Sequence, residues 1–304
     1  DNQGKFILNV GSIGKGPGEY PEYYSCTADP SKKRIFILND MVGKIEVYNF
    51  EATHIETILI PANTVSLQYL GNDRFLIYAP NQLLDDQVFH QFQIINIDGE
   101  IERVIPRAKP RLSGGPVIFA PPIIQSIPDN MQIFNNIYGD TVFGINNNGD
   151  KFTFCIQDFG GKLIPEEILH DMGRYFGEKD KYISNFTAFD SKEYILFTYG
   201  YQGQSFRGVF SKSSKQGFLI DNWDPNGPGL PNDIDGGPAY FASTCIRNNV
   251  AYVVMQSSNL VLWRDEGLFD KQDLKNPSAS GKLHDMAASL SENDNPVIMI
   301  INLK

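Results

Sequence analysis

Few segments of this chain hold residue types at a spacing that could do chemistry. Asn232-Asp233-Ile234-Asp235-Gly236-Gly237-Pro238 sets two carboxylates two residues apart. In an extended chain they point the same way and could hold a hard cation such as Ca2+. The further oxygen-bearing positions and the closing Glu of an EF-hand loop are missing, so a turn without a cofactor is the plainer expectation. Gly16-Pro17-Gly18-Glu19-Tyr20 could cradle an anion with its amides. Pro17 has no N–H to offer, so a rigid turn is expected, with Glu19 and Tyr20 as the side chains able to meet a ligand. The histidines His54, His90, His170 and His284 show no i, i+2 or i+4 pairing. A metal would need ligands converging from distant segments. Gly203-Gln204-Ser205-Phe206-Arg207-Gly208 lacks the spacing of a nucleophile elbow. Asp85-Asp86 and Glu166-Glu167 are adjacent pairs, which diverge in a strand and suit solvated surface. No phosphate-loop, dinucleotide or kinase motif is present.

Aromatic residues offer a second route to binding. Tyr20, Tyr23, Tyr24, Tyr199, Tyr201, Tyr240, Phe241, Trp223 and Trp263 fall in or near expected strands and loops. An apolar ring face with a polar tip suits stacking on sugars, although cores consume aromatics too. Position in these motifs and loops selects Glu19, Tyr20, Arg111, Tyr201, Asp235 and Tyr240 as the candidate ligand-binding residues. No catalytic residue and no metal ligand is assigned.

The elements that must position these residues are short strands. Period-2 alternation of β-branched and aromatic residues recurs in Arg34–Leu38, Arg74–Tyr78, Gln132–Phe134, Tyr194–Phe197 and Val250–Val254. Each follows a polar turn. A second repeat is sharper: Val47-Tyr48-Asn49-Phe50-Glu51-Ala52, Ile95-Asn96-Ile97-Asp98-Gly99-Glu100 and Ile145-Asn146-Asn147-Asn148-Gly149-Asp150. Asp-Gly and Asn-Gly suit a type I′ hairpin, which needs positive φ at both central positions. Asn49, Asn96 and Asn146 fall 47 and 50 residues apart. A period of about 40 to 50 residues with four strands to a unit is the pattern of propeller blades. Four blades are expected at about 20–60, 63–106, 117–159 and 182–221, and a fifth starts near Tyr240. The stretch 257–295 is either an excursion or part of a sixth, with short helices at Leu268–Leu274 and Leu283–Leu290. A further helix is expected at Ile164–Tyr175. Phe6–Val10 and Pro296–Asn302 are expected to pair and close the ring, which would hide the edges and leave a monomer.

Composition narrows the function classes. Of 304 residues, 26 are Lys or Arg and 36 are Asp or Glu, a formal net charge of -10. Nucleic acid is a poor partner for such a chain, because counterion release needs clustered cations. Hydrophobic residues make up 41 %, enough for a core. No apolar run approaches the roughly 20 residues that cross a bilayer. Cys26, Cys155 and Cys245 are far apart and read as buried free thiols. The chain opens at Asp1 without Met, as a processed or trimmed chain would. One domain is expected over 1–304.

Three ordered motifs carry a resemblance. Gly4-Lys5-Phe6 followed by Gly11-Ser12-Ile13-Gly14-Lys15-Gly16-Pro17-Gly18-Glu19-Tyr20, then Asp235-Gly236-Gly237-Pro238, then Asp294-Asn295-Pro296-Val297 with Leu303-Lys304, resemble the six-bladed β-propeller proteins of Bacteroides-type bacteria. More distantly the chain is similar to NHL-repeat propellers. Family members usually carry about one more blade ahead of the Gly-Lys-Phe segment. The resemblance implies an all-β fold of four-stranded antiparallel blades, six by family and five countable here. It also implies export to the periplasm or cell surface, by a secretion or lipoprotein signal. It implies no activity. The expectation is therefore a non-enzymatic propeller that binds a ligand, a carbohydrate or an envelope protein, on one ring face. The alternative is a metal-dependent hydrolase or lyase with its site in the central channel, and fold alone does not choose between them.

Overall fold

The computed structural model describes residues 6–14, 16–20, 25–39, 42–61, 64–78, 83–84, 88–106, 124–127, 131–135, 139–146, 148–169, 171–220, 230, 232–237, 245–247, 249–269 and 274–303. Antiparallel sheets follow one another along the chain. The first joins Cys26–Asp29, Arg34–Asn39, Lys44–Asn49 and His54–Leu59. The second joins Ser66–Gly71, Arg74–Tyr78, Val88–Asn96 and Ile101–Pro106, with Leu83–Leu84 paired to the far end of the third strand. Ile124–Ile127, Met131–Asn135, Thr141–Ile145 and Lys151–Ile156 form the third. Ser184–Asp190, Tyr194–Tyr201, Gln204–Ser211 and Gln216–Ile220 form the fourth. The fifth has three strands, Cys245–Arg247, Val250–Met255 and Val297–Asn302.

Each sheet packs face to face on a neighbour. Phe36, Leu38 and Ile45 of the first meet Leu67, Phe75 and Ile77 of the second. Leu76, Phe92 and Ile94 of the second meet Phe134 and Ile145 of the third. Phe189, Leu196 and Val209 of the fourth meet Ile246, Ala251 and Val253 of the fifth. A strand covered on both faces reads as a continuous apolar run, and Phe36-Ile37-Leu38 is buried throughout. This is a β-propeller. All five alternating segments read in the sequence lie within observed strands.

The up-and-down order gives the sheets two unlike ends. The first and third turns of each four-stranded sheet lie at one end; the second turn and the connection to the next sheet lie at the other. Several contacts between sheets follow this rule. Arg34 donates to Asp73, and both belong to first turns. Arg103 donates to the Asn148 carbonyl and to Asp150 in the third turn of the next sheet, at 3.1 and 2.8 Å. The Lys192 amide donates to the Asn249 side chain at 3.0 Å. This turn end holds short loops. The connection end holds the helices Glu166–Leu169 and Met172–Glu178 between the third and fourth sheets. It also holds Ser257–Asp265 and Pro277–Ser289, inserted between the last two strands of the fifth.

Local chemistry explains several departures from the sequence reading. The Asn49 and Asn96 turns are not type I′, because each has one left-handed residue, Ala52 (φ 61°) or Gly99 (φ 82°), rather than two. The Asn side chain holds the loop, accepting from the amides two and four residues on: Glu51 and Thr53, then Asp98 and Glu100. The two-residue geometry occurs instead at Asn72-Asp73, both left-handed. The helix expected over Ile164–Tyr175 is split, since the Asp171 carboxylate caps a new helix by accepting from the Arg174 amide at 3.0 Å. The stretch 257–295 is a helical excursion. Its first helix ends before Leu268, at a left-handed Gly267 (φ 69°), and its second starts at Pro277, with Asn276 as N-cap. Phe6–Val10 forms no strand, and Val297–Asn302 pairs with Val250–Met255, so the expected closure of the ring by these two ends is not made among the described residues. Cys26 and Cys155 are free thiols, and neither is fully buried: Cys26 is exposed and Cys155 half-buried.

Candidate functional site

Glu19 and Tyr20 sit on the first sheet. They form a short parallel pair with Ser12–Ile13. The Glu19 carboxylate turns back into its own loop and accepts from the Gly16 amide at 2.7 Å. The Tyr20 hydroxyl donates to the Val10 carbonyl at 2.7 Å. Beneath them Tyr48 donates its hydroxyl to the Gly18 carbonyl, and the His54 ring stands against Gly18. His54 lies 2.9 Å from Glu46, a fully buried carboxylate that also meets Lys44 at 2.9 Å and accepts from Thr57 at 2.6 Å. Burial opposes the charge on Glu46, but Lys44, Thr57 and His54 hold its carboxyl below the ordinary range. Burial, then the negative charge of Glu46, pushes the Tyr48 phenol up to about 12, so its hydroxyl stays a donor. This cluster is closed, with Glu46 Oε1 held by the Lys44 ion pair and no hydrogen bond. It anchors the loop, and His54 and Tyr48 belong to the turn end of the first sheet.

Asp235 is also satisfied locally. It accepts from Asn232 Nδ2 at 2.7 Å and from the Gly237 amide at 2.9 Å. Asp233 turns away to Lys275, 2.7 Å off. The two carboxylates expected to face one cation thus have different partners. Among the described residues no three His, Cys, Asp or Glu side chains gather in a way that could hold a metal ion. Arg111 and Tyr240 lie outside the described residues. So do Tyr23 and Tyr24.

Tyr201 has other surroundings. It ends the second strand of the fourth sheet, before the tight turn Gln202-Gly203 at the connection end. Lys162 lies over its ring, 5.8 Å from the centroid. Below it runs a ladder of half-buried rings on the face turned away from the fifth sheet. Phe186 and Phe197 stack at 6.2 Å, Phe197 and Tyr199 at 6.3 Å, Tyr199 and Phe206 at 5.1 Å. Phe159, from the connection, joins Phe186 at 5.4 Å. Register sets this face, since Tyr199 opposes Phe206 and Phe197 opposes Gly208. A Cβ on Gly208 would stand 2.2 Å from the Phe197 ring, so glycine there lets the ring lie flat. The turn is fixed to the helical connection by the Gln202 amide, which donates to the Asp180 carbonyl at 3.0 Å.

Of the four candidates among the described residues, the structure brings together Glu19 and Tyr20. Tyr201 and Asp235 lie at the connection end with separate partners. Lys162, Phe186, Phe197 and Phe206 escaped the sequence reading, because their meeting depends on cross-strand register. Glu46 did leave a signal: a charge at a central position of a strand otherwise apolar from Ile45 to Tyr48.

A family model described as a domain of unknown function, DUF4934, matches residues 1–302, and the chain belongs to that family. No curated protein matches the sequence. The crystal structure of a candidate exported protein from Bacteroides fragilis superposes over 100 % of this chain and 83 % of its own, with a TM-score of 0.75 and 15 % identity. A member of the DUF4221 family from Bacteroides vulgatus covers 95 % of this chain and 81 % of its own at a TM-score of 0.48 and 10 % identity. BamB from Moraxella catarrhalis covers 66 % of this chain and 54 % of its own at 0.37 and 10 %. The first likeness supports the fold; the other two are too remote to carry an argument. No helix among the described residues is long and apolar enough to cross a membrane.

Proposed function

We propose that this DUF4934 protein is an exported, non-enzymatic propeller that binds a carbohydrate at its connection end, around Tyr201. The observation that carries this is Tyr201 beneath Lys162, on the same face of the strand as Phe197 and Tyr199 of the stacked ring ladder. Tyr rings present an apolar face to a sugar ring and a hydroxyl to its substituents. Irregular segments held on a rigid scaffold are where binding residues concentrate, and among the described residues the helical connections lie at this end. Glu19 and Tyr20 instead serve as loop anchors. Export is supported by the likeness to the Bacteroides fragilis protein.

The test is a thermal-shift panel of oligosaccharides, with divalent metals and EDTA in parallel. A ligand of the folded state raises apparent stability by mass action. A shift with one sugar class, lost in Tyr201→Ala, is expected. A shift with metal alone, reversed by EDTA, would replace this proposal with the metal-dependent one. No shift, with capture of an envelope protein instead, would replace the sugar with a protein partner.

A further inference from the structure

We infer that the carbohydrate bound at Tyr201 is acidic and that Lys162 holds its carboxylate or sulfate group; the inference rests on the sugar site proposed above. The described part of the connection between the third and fourth sheets carries the cations Lys162, Arg174, Lys179 and Lys181. Three of them are matched by carboxylates. Arg174 and Lys181 meet Glu178 at 3.2 and 3.4 Å, and Lys179 meets Asp180 at 3.0 Å. Lys162 is the exception: among the described residues its ammonium meets no carboxylate and stands over the Tyr201 ring, 5.8 Å from the centroid. Asp158, four residues before it, instead accepts from the Gly160 amide at 2.8 Å.

The lysine is held in place by its main chain. Gly160 and Gly161 are both left-handed, with φ of 59° and 75°, and turn the chain back toward the fourth sheet. The Lys162 amide donates to the Phe159 carbonyl at 3.0 Å, and the Ile183 amide donates to the Lys162 carbonyl at 2.8 Å. Leu163 then bridges to Ile183, at the entry to the fourth sheet. A Cβ on Gly160 or Gly161 would meet nothing within 4 Å, so the approach beside Lys162 is open. Across the turn, Gln204 stands opposite Tyr201 in register and shares its face of the sheet. That face offers an aromatic ring for stacking, a neutral amide that both donates and accepts, and an ammonium. The chain's net charge of -10 opposes an anion at long range. Screening limits that repulsion to about 8 Å at physiological salt, so the nearest charge decides. An ammonium is a point charge rather than a planar fork, so carboxylate and sulfate suit it equally.

The experiment is calorimetric titration of the full chain with matched acidic and neutral probes. One pair is oligogalacturonate and its methyl ester; the other is a sulfated chondroitin oligosaccharide and its desulfated, carboxyl-esterified form. In at least one pair the acidic probe is expected to bind about fivefold tighter, the worth of one exposed ion pair. The pair that shows the preference names the anion. Added NaCl should shrink the preference, Lys162→Gln should abolish it, and Lys162→Arg should keep it. Equal or tighter binding of both neutral probes would overturn the inference, as would a preference that survives in Lys162→Gln. Neutral binding that Tyr201→Ala still removes would leave the sugar site standing while the acidic preference falls. Acidic binding untouched by Tyr201→Ala would overturn the site and the inference together.

Discussion

The Gly99 Cα faces the Leu59 carbonyl so closely that a Cβ there would stand 1.9 Å from the oxygen. Gly99 closes the third turn of the second sheet, and Leu59 ends the last strand of the first. Its φ of 82° also disfavours any side chain. Gly99→Ala should therefore destabilise the fold by about 2–4 kcal/mol, combining backbone strain with a clash against main chain. Gly281 lies within the helix Pro277–Ser289 with open space around it. Gly281→Ala should stabilise by up to about 1 kcal/mol. Urea unfolding of the pair checks both signs.

Arg34 ties the first two sheets together at the turn end. It lies 2.8 Å from Asp29 and also donates to Asp73. Burial opposes the charge on Asp29, but hydrogen bonds from Ser31, Arg34, Tyr69 and the Lys32 amide hold its carboxyl well below the ordinary range. Lys32 and Arg34 lower Asp73 likewise. Carboxyls depressed in the folded state add stability that is full above their unfolded value, near about 3.9, and is lost as pH falls through the folded value. Burial raises Asp190, so its contribution runs the other way, present at low pH and lost as pH rises through the raised value. Arg34→Ala should cost about 2–3 kcal/mol at neutral pH, because Asp29 stays buried without its cation. It should also flatten the loss of stability below about pH 4, measured as midpoint against pH.

Tyr48 fixes the loop that carries Glu19. Tyr48→Phe keeps the ring and removes the donor to the Gly18 carbonyl. The change should cost about 1 kcal/mol and speed amide exchange in residues 11–20 while leaving the fourth sheet protected. Unchanged exchange in 11–20 would show that the hydroxyl does not anchor the loop.

Much of this fold was legible because alternation reports strands directly. Arg74–Tyr78 was read to the residue. The Asn49, Asn96 and Asn146 turns were found by their spacing, but their geometry was misread. The Asn side chain stabilises a loop with one left-handed residue, a preference the Asn-Gly and Asp-Gly pairs do not reveal. The helix Ser257–Asp265 was missed because Ser257 is buried beside Leu260 and Val261, so its covered face is not uniformly apolar. Glu19 and Asp235 were chosen for their place in glycine-rich motifs, and motif position alone does not say that a carboxylate will be consumed by the amides of its own turn. Tyr201 was chosen for its ring. Its neighbours Lys162 and Phe206 were not visible, since they meet the ladder only through a connection and a register.

Two variants examined side by side test the binding proposal most directly. Calorimetric titration of wild type, Tyr201→Ala and Tyr20→Ala with the sugar class that raises the melting temperature separates the connection end from the N-terminal loop. Tyr201→Ala should weaken binding by about tenfold, the worth of one good aromatic contact, and Tyr20→Ala should bind as wild type. Wild-type affinity in Tyr201→Ala, or loss of binding in Tyr20→Ala alone, would contradict a site at Tyr201.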